Sequence, residues 1–202
     1  VGKFPNTLQI ISRKKEELQN KINSHRIDLH LLCGADFEFS PDIFTQIEKK
    51  TIITINNSRY ILLDIPFFLM PPNICGLVER MIQSGIIPII THPERCLQIQ
   101  QDLKLLYDIV KAGALVQITA SSITGKMGGQ AQNTVRLILK YDLAHIIASD
   151  THGLHNRPPV LSEALEIAAR ITDKKTVIPM VTTNPQSIIE NLDVAITSPH
   201  KP

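Results

Sequence analysis

Apolar residues recur along this chain in two alternating rhythms: short, nearly continuous runs and longer stretches with a helical repeat. The runs are residues 27–33 (IDLHLLC), 51–55, 59–65, 85–91 (GIIPIIT), 114–119 (ALVQIT) and 145–148. Each has the length and β-branched character of a strand. A run that is apolar at nearly every position, such as GIIPIIT, suits a strand covered on both faces of a parallel sheet. Residues 51–55 and 59–65, joined by Asn56-Asn57-Ser58, read as a hairpin.

The helical repeat fills the gaps. Thr7 is placed to cap a first helix, in which Leu8, Ile11 and Leu18 oppose a charged RKKEE face and which ends before Ser24 and His25. Ser40-Pro41-Asp42 starts a second, running to about residue 50, with Pro41 at its first position. Residues 73–84 put Ile74, Leu77, Val78 and Met81 on one side. Further helices are expected over residues 100–112, 130–141, 160–171 and 184–192. Residues 121–129 form a Ser/Gly stretch without the G-x-x-x-x-G-K-[ST] order of a phosphate-cradling loop, and read as a flexible connection.

Strand, loop and helix alternate, which argues for a parallel α/β architecture, either a doubly wound sheet or a (β/α) barrel. The polar residues favour the barrel. Asp36, Asp64, His92 and Asp150 each follow a different apolar run. Strand ends arranged in a ring would converge them on one face, as in barrel active sites, whereas an open sheet gathers ligands at a single switch point.

Composition narrows the classes without naming one. The chain has 202 residues, 43% of them hydrophobic and 20% charged, and a net charge of +2. That length suits one domain with a real core, here residues 1–202. Lysines and arginines are scattered, so nothing electrostatic points to nucleic acid or an anionic membrane. No apolar run approaches a membrane span and no signal peptide opens the chain, so a cytoplasmic location is expected. Cys33, Cys75 and Cys96 have neither framework nor zinc-knuckle spacing and read as small buried hydrophobes.

Chemistry concentrates in residues 146–159, IIASDTHGLHNRPP. In an extended segment Asp150 and His152, two apart, face the same way. A hard oxygen beside a borderline nitrogen suits Mn, Fe or Zn. Equally, Asp150 could cap the next turn and His152 could be an ordinary loop histidine. Asp36, Asp64, His92, Asp150 and His152 together are candidate ligands for one or more divalent ions, an arrangement suited to hydrolysis. Arg95 and Arg157 follow two of the same strand ends, and guanidinium grips phosphate in a bidentate fashion, so a phosphoester substrate is inferred. No cysteine has an arginine six residues on, which sets aside a cysteine-based phosphatase, and there is no G-x-S-x-G or dinucleotide fingerprint.

The segments GADFEF, NNSRYILLDIPF, GIIPIITHPERC, LVQITASSITGKMG and HIIASDTHGLHNRPP resemble the bacterial capsule-biosynthesis protein-tyrosine phosphatases of the CpsB/CapC type. These belong to the polymerase-and-histidinol-phosphatase superfamily of metal-dependent phosphoesterases. The resemblance implies a distorted (β/α) TIM-like barrel, incomplete at its amino-terminal end. It also implies divalent ions, most simply Mn with Fe, Zn or Mg as alternatives, and a tyrosine autokinase of polysaccharide export as partner. Position by position, the family's two glutamates fall on Asp36 and Asp64, the histidine of its HPER motif on His92, and its Asp-x-His pair on Asp150 and His152. Its phosphate-binding arginines fall on Arg95 and Arg157. Both glutamates are one methylene shorter here. The family's opening His-x-His strand and Asp-Asp-Gly loop have no counterpart in the sequence, which is therefore expected to be a piece of a longer chain. A histidinol-phosphatase-like small-molecule phosphoesterase and a non-catalytic binding module are the rival readings.

Overall fold

The computed structural model describes residues 7–40, 42–49, 51–68, 70–155 and 157–202. Pro41, expected at a helix start, and the turn expected over residues 1–6 lie outside the described residues. Five strands, β1 (Asp36–Glu38), β2 (Tyr60–Asp64), β3 (Ile87–Thr91), β4 (Leu115–Thr119) and β5 (Ile146–Ala148), form one parallel sheet in chain order. Among the described residues β1 and β5 are its edges.

The crossovers carry α3 (Ile74–Gln83) between β2 and β3, α4 (Leu97–Gln101) and α5 (Lys104–Lys111) between β3 and β4, and α6 (Ala120–Ile123) and α7 (Gly129–Lys140) between β4 and β5. Parallel strands in unreversed order step the same way each time, so right-handed connections place the crossover helices on one face. On that face, Ile61, Leu63, Ile90, Val116, Ile118 and Ile147 meet the helix stripes, including Val78 and Met81 of α3 and Val135 and Ile138 of α7, in the main core. The alternate residues Tyr60, Ile89, Leu115 and Ile146 point the other way, where Ile188 and Val194 cover them. Ile188 belongs to α10 (Thr183–Ile189), which follows α8 (Ser162–Ile171) and α9 (Lys174–Val177). This α/β winding agrees with a barrel-type arrangement rather than a doubly wound sheet, whose strand order reverses. None of the helices of the described residues is long and apolar enough to cross a membrane.

Several elements differ from the pattern-based expectation. Residues 27–33 are not a strand, and Ile27 is 54% exposed. With no neighbouring strand to pair, their backbone is tethered by a side chain of the first helix, α1 (Leu8–Ser24), instead: Gln19 Nε2 donates to the Leu29 carbonyl at 2.8 Å and Gln19 Oε1 accepts from Leu31 N–H at 2.8 Å. The first strand lies further on, in DFE, so Asp36 opens β1 rather than following its strand. The hairpin is absent. Strand β2 is flanked by parallel neighbours on both sides, leaving no edge for an antiparallel partner, and residues 51–55 lead into a 3-10 turn over Ile55–Asn57. The helix expected from residue 40 is the shorter α2 (Ile43–Glu48). Extended backbone at Asp102 splits residues 100–112 into α4 and α5. The stretch 121–129 is in part the helical turn α6, with Ser122 and Ile123 fully buried. Of the cysteines, Cys96 alone is buried, and all three are free thiols.

Candidate functional site

The carboxyl ends of β2 and β3 and the start of β1 bring three sequence-predicted ligands together. Register pairs Asp64 with Thr91 and Asp36 with Leu62, and residues two apart on a strand share a face. His92 follows immediately, with left-handed backbone (φ 37°, ψ 48°) and its N–H donating to the Gln117 carbonyl at 2.8 Å. The turn swings the imidazole back between two carboxylates. His92 Nε2 lies 3.6 Å from Asp36 Oδ2, and Nδ1 lies 3.7 Å from Asp64 Oδ1. Buried Thr91 donates its hydroxyl to the Asp36 carboxylate at 3.1 Å, which fixes that side chain.

Taken by themselves, Asp64 and His92 both have raised pKa values, the acid at the expense of its charge and the imidazole in favour of it. Burial, the largest influence, pushes the Asp64 carboxyl up; nearby Asp36 adds to this while His92 and Arg95 oppose it. For His92, burial works against the charged ring, but the carboxylates of Asp36 and Asp64 prevail and its pKa is raised. Asp64 Oδ1 is buried with no hydrogen-bond partner among the described residues. An orphaned buried carboxylate oxygen calls for a cation.

The trio fits a divalent ion. One ligand atom each from Asp36, Asp64 and His92 lie within 4.8 Å of one another. Ligands about 2.1 Å from an ion sit roughly 3–3.5 Å apart around it, close to the spacings seen. An ion takes only one imidazole nitrogen, so the carboxylate beside the other nitrogen can give one oxygen to the ion and orient the ring with its second.

The remaining predicted residues gather beside this trio. Asp150 follows β5 by two residues and adopts positive φ (48°), so the alternation of an extended strand does not carry through to His152. Asp150 Oδ2 accepts from Arg157 Nη1 at 2.7 Å and lies 3.8 Å from Arg95 Nη1. His152 Nδ1 lies 2.8 Å from the Asp150 carbonyl, and its side chain is 56% exposed. Its N–H donates to the Arg157 carbonyl at 3.1 Å, closing the loop that carries the arginine. The structure thus groups Asp36, Asp64 and His92 as one set, and Asp150, Arg95 and Arg157 as another. His152 stands on the rim of the second set.

Three contributors carried no role in the sequence reading. Phe67 stacks on His92 (ring centroids 6.4 Å apart, 12° between planes), and the Arg95 guanidinium lies 4.7 Å over the same ring. It therefore links the two sets. Thr91 holds Asp36, and its position as the one hydroxyl in the apolar run GIIPIIT, immediately before His92, is the signal that could have flagged it. Glu94 is completely buried. Its Oε1 accepts from Thr119 N–H at 3.1 Å and from the Thr119 hydroxyl at 2.9 Å, pinning the turn that bears His92 and Arg95 to the end of β4. Burial, the largest influence, raises its carboxyl against the pull of hydrogen bonds from Ser122 and Thr119.

With this geometry in hand, comparisons with known proteins are specific. Residues 2–190 match the family described as capsular polysaccharide synthesis, CpsB/CapC. CapC of Staphylococcus aureus is 36% identical over 161 residues, covering 80% of this chain and 63% of the relative. The tyrosine-protein phosphatase YwqE of Bacillus subtilis is 30% identical over 166 residues, covering 82% and 65%. The chain thus spans somewhat under two-thirds of the length of these curated relatives. A crystal structure among those of YwqE from B. subtilis and CpsB from Streptococcus pneumoniae, described as metal-dependent tyrosine phosphatases, superposes with a TM-score of 0.94. Sequence identity there is 27%, over 100% of this chain and 81% of the other. Shared fold, shared motifs and a family match along almost the whole length lead to one conclusion: the chain belongs to the CpsB/CapC family of capsular polysaccharide synthesis.

Proposed function

We propose that residues 1–202 act as one phosphoesterase domain of a metal-dependent protein-tyrosine phosphatase. Its substrate would be phosphotyrosine on the bacterial tyrosine autokinase that controls capsule or exopolysaccharide synthesis, in the cytoplasm. The observation that carries this reading is the placement of the Asp36, Asp64 and His92 trio beside two guanidiniums that converge on one carboxylate. Asp36, Asp64 and His92 would hold an ion, with Asp150 and His152 on the adjoining loop as further ligands; manganese is the first choice, with Fe, Zn and Mg as alternatives. Such an ion supplies Lewis acidity and lowers the pKa of bound water toward about 7.

The protein groups do the rest. Arg157 spends one N–H on Asp150 and Arg95 is fixed against Phe67, so each planar cation is pre-oriented with further N–H donors for phosphoryl oxygens. A phosphoryl dianion arriving there exchanges the single charge of Asp150 for a stronger, bidentate partner. Phe67, exposed beside both sets, offers an aromatic face to the leaving phenol.

The test is hydrolysis of a phosphotyrosyl peptide and of small phosphomonoesters, histidinol phosphate included, by the manganese-saturated protein, alongside its metal content. Preference for the peptide with more than one metal equivalent supports the proposal. Preference for the small ester would replace it with a small-molecule phosphoesterase, and a protein that retains no metal and turns over neither substrate in excess manganese would be a binding module.

A further inference from the structure

A groove runs away from Arg95 between α4 and α7. It consists of two clefts of about 330 and 260 Å³ that share Leu97, Gln100 and Gln130. Its head is Arg95 with Phe67, so it opens directly off the arginine set of the candidate site. Along α7, Gln130, Asn133 and Leu137 are three and four residues apart and therefore form one stripe on the helix surface. Leu97 and Gln101 of α4 face them across the groove.

The chemistry of this lining is selective. Apart from Arg95 at its head, no charged side chain lines either cleft among the described residues. The exposed side chains of Gln101, Gln130 and Asn133 make no hydrogen bond within the described residues. Each amide offers a donor and an acceptor together, the same pair that every peptide unit presents. Leu97 and Leu137 are each about 40% exposed and stand between the amides as apolar seats. From Gln130 to Leu137 the helix rises roughly 10 Å, the length of about three extended residues.

We propose that this groove binds the polypeptide on one side of the phosphorylated tyrosine, reading about three residues through main-chain hydrogen bonds and two apolar side-chain positions. The proposal rests on the phosphotyrosine reading of the site. A neutral, amide-lined groove would select an extended peptide without requiring acidic or basic flanks, and a free phosphomonoester would not fill it.

The test uses a fluorescent heptapeptide with uncharged flanks and a central phosphonomethylphenylalanine, which cannot be hydrolysed, measured by anisotropy. The variant is Gln130→Ala with Asn133→Ala, at exposed positions where alanine favours the helix. Losing two hydrogen bonds weakens peptide binding by about tenfold or more, while kcat/KM for free phosphotyrosine stays unchanged. Peptide affinity within twofold of the parent, or an equal fall for free phosphotyrosine, overturns the groove. So does a parent protein that binds the heptapeptide no better than phosphonomethylphenylalanine amide. A peptide bound through the groove while its phosphotyrosyl counterpart is never hydrolysed would keep the groove and overturn the phosphatase reading.

Discussion

Glu94→Ala tests how the turn bearing His92 and Arg95 is held. The substitution removes an acceptor from two donors, but not equally. The Thr119 hydroxyl keeps Ser122 Oγ at 2.8 Å, whereas the Thr119 N–H has only Glu94 Oε1. One orphaned buried N–H costs about 1–3 kcal/mol. Two fully buried methylenes add about 1.6 kcal/mol at 0.8 each. Opposing both is the relief of a buried acid whose pKa is raised. For such a group the stabilising contribution is complete below the unfolded value of 4.5 and is lost as pH rises through the folded value, so the relief appears only above pH 4.5. Near pH 4.5 the variant should therefore be destabilised by about 3–4 kcal/mol, and at this chain length a melting temperature roughly 6–15 °C lower follows. The deficit should narrow as pH rises. Glu94→Gln keeps the acceptor and the volume, so it should stay within about 1 kcal/mol of the parent and lose the pH dependence. Thermal unfolding followed by circular dichroism on chelator-treated protein at several pH values measures all three. A Glu94→Ala melting temperature within 2 °C of the parent near pH 5 would refute the assignment of Glu94 as the clamp.

Other outcomes follow from the same geometry. Asp64→Asn should weaken manganese binding, read by calorimetry, by about tenfold or more. Because burial already disfavours the Asp64 charge, the metal-free variant should melt no lower than the parent, and a clear drop would place the residue in a structural role instead. Arg157→Lys keeps the charge but loses the fork, so kcat/KM for a phosphotyrosyl peptide should fall by at least about tenfold with metal content unchanged; unaltered kinetics would return Arg157 to a surface ion pair. His92 has a raised pKa, so its contribution to metal-free stability is complete below 6.5 and declines as pH climbs through the folded value. Manganese affinity should rise over that window as the proton leaves, and a flat affinity profile from pH 6 to 8 would remove His92 from the ligand set.

What the sequence determined by itself is the parallel α/β class and the motif-bearing turns. Continuous apolar runs such as GIIPIIT can only be covered on both faces, and helices with apolar stripes between them supply one of the covers. His92, Asp64 and Asp150 were legible because each terminates such a run. The tertiary structure decided what local pattern cannot reach. IDLHLLC has every local mark of a strand, yet pairing is a property of neighbours, and its backbone meets the Gln19 side chain and the Asn56 N–H rather than a strand. Residues 51–55 likewise had β character but no free sheet edge beside β2. Asp150 and His152 were placed on one side by period-2 spacing, which lapses where Asp150 takes positive φ and turns to Arg157. Glu94 is the clearest case, since a charged letter in a turn reads as surface until the end of β4 is brought over it with two donors for one oxygen. Hydrophobic period is encoded residue by residue, whereas register, burial of a polar group and the meeting of two strand ends arise only from the packing of distant segments.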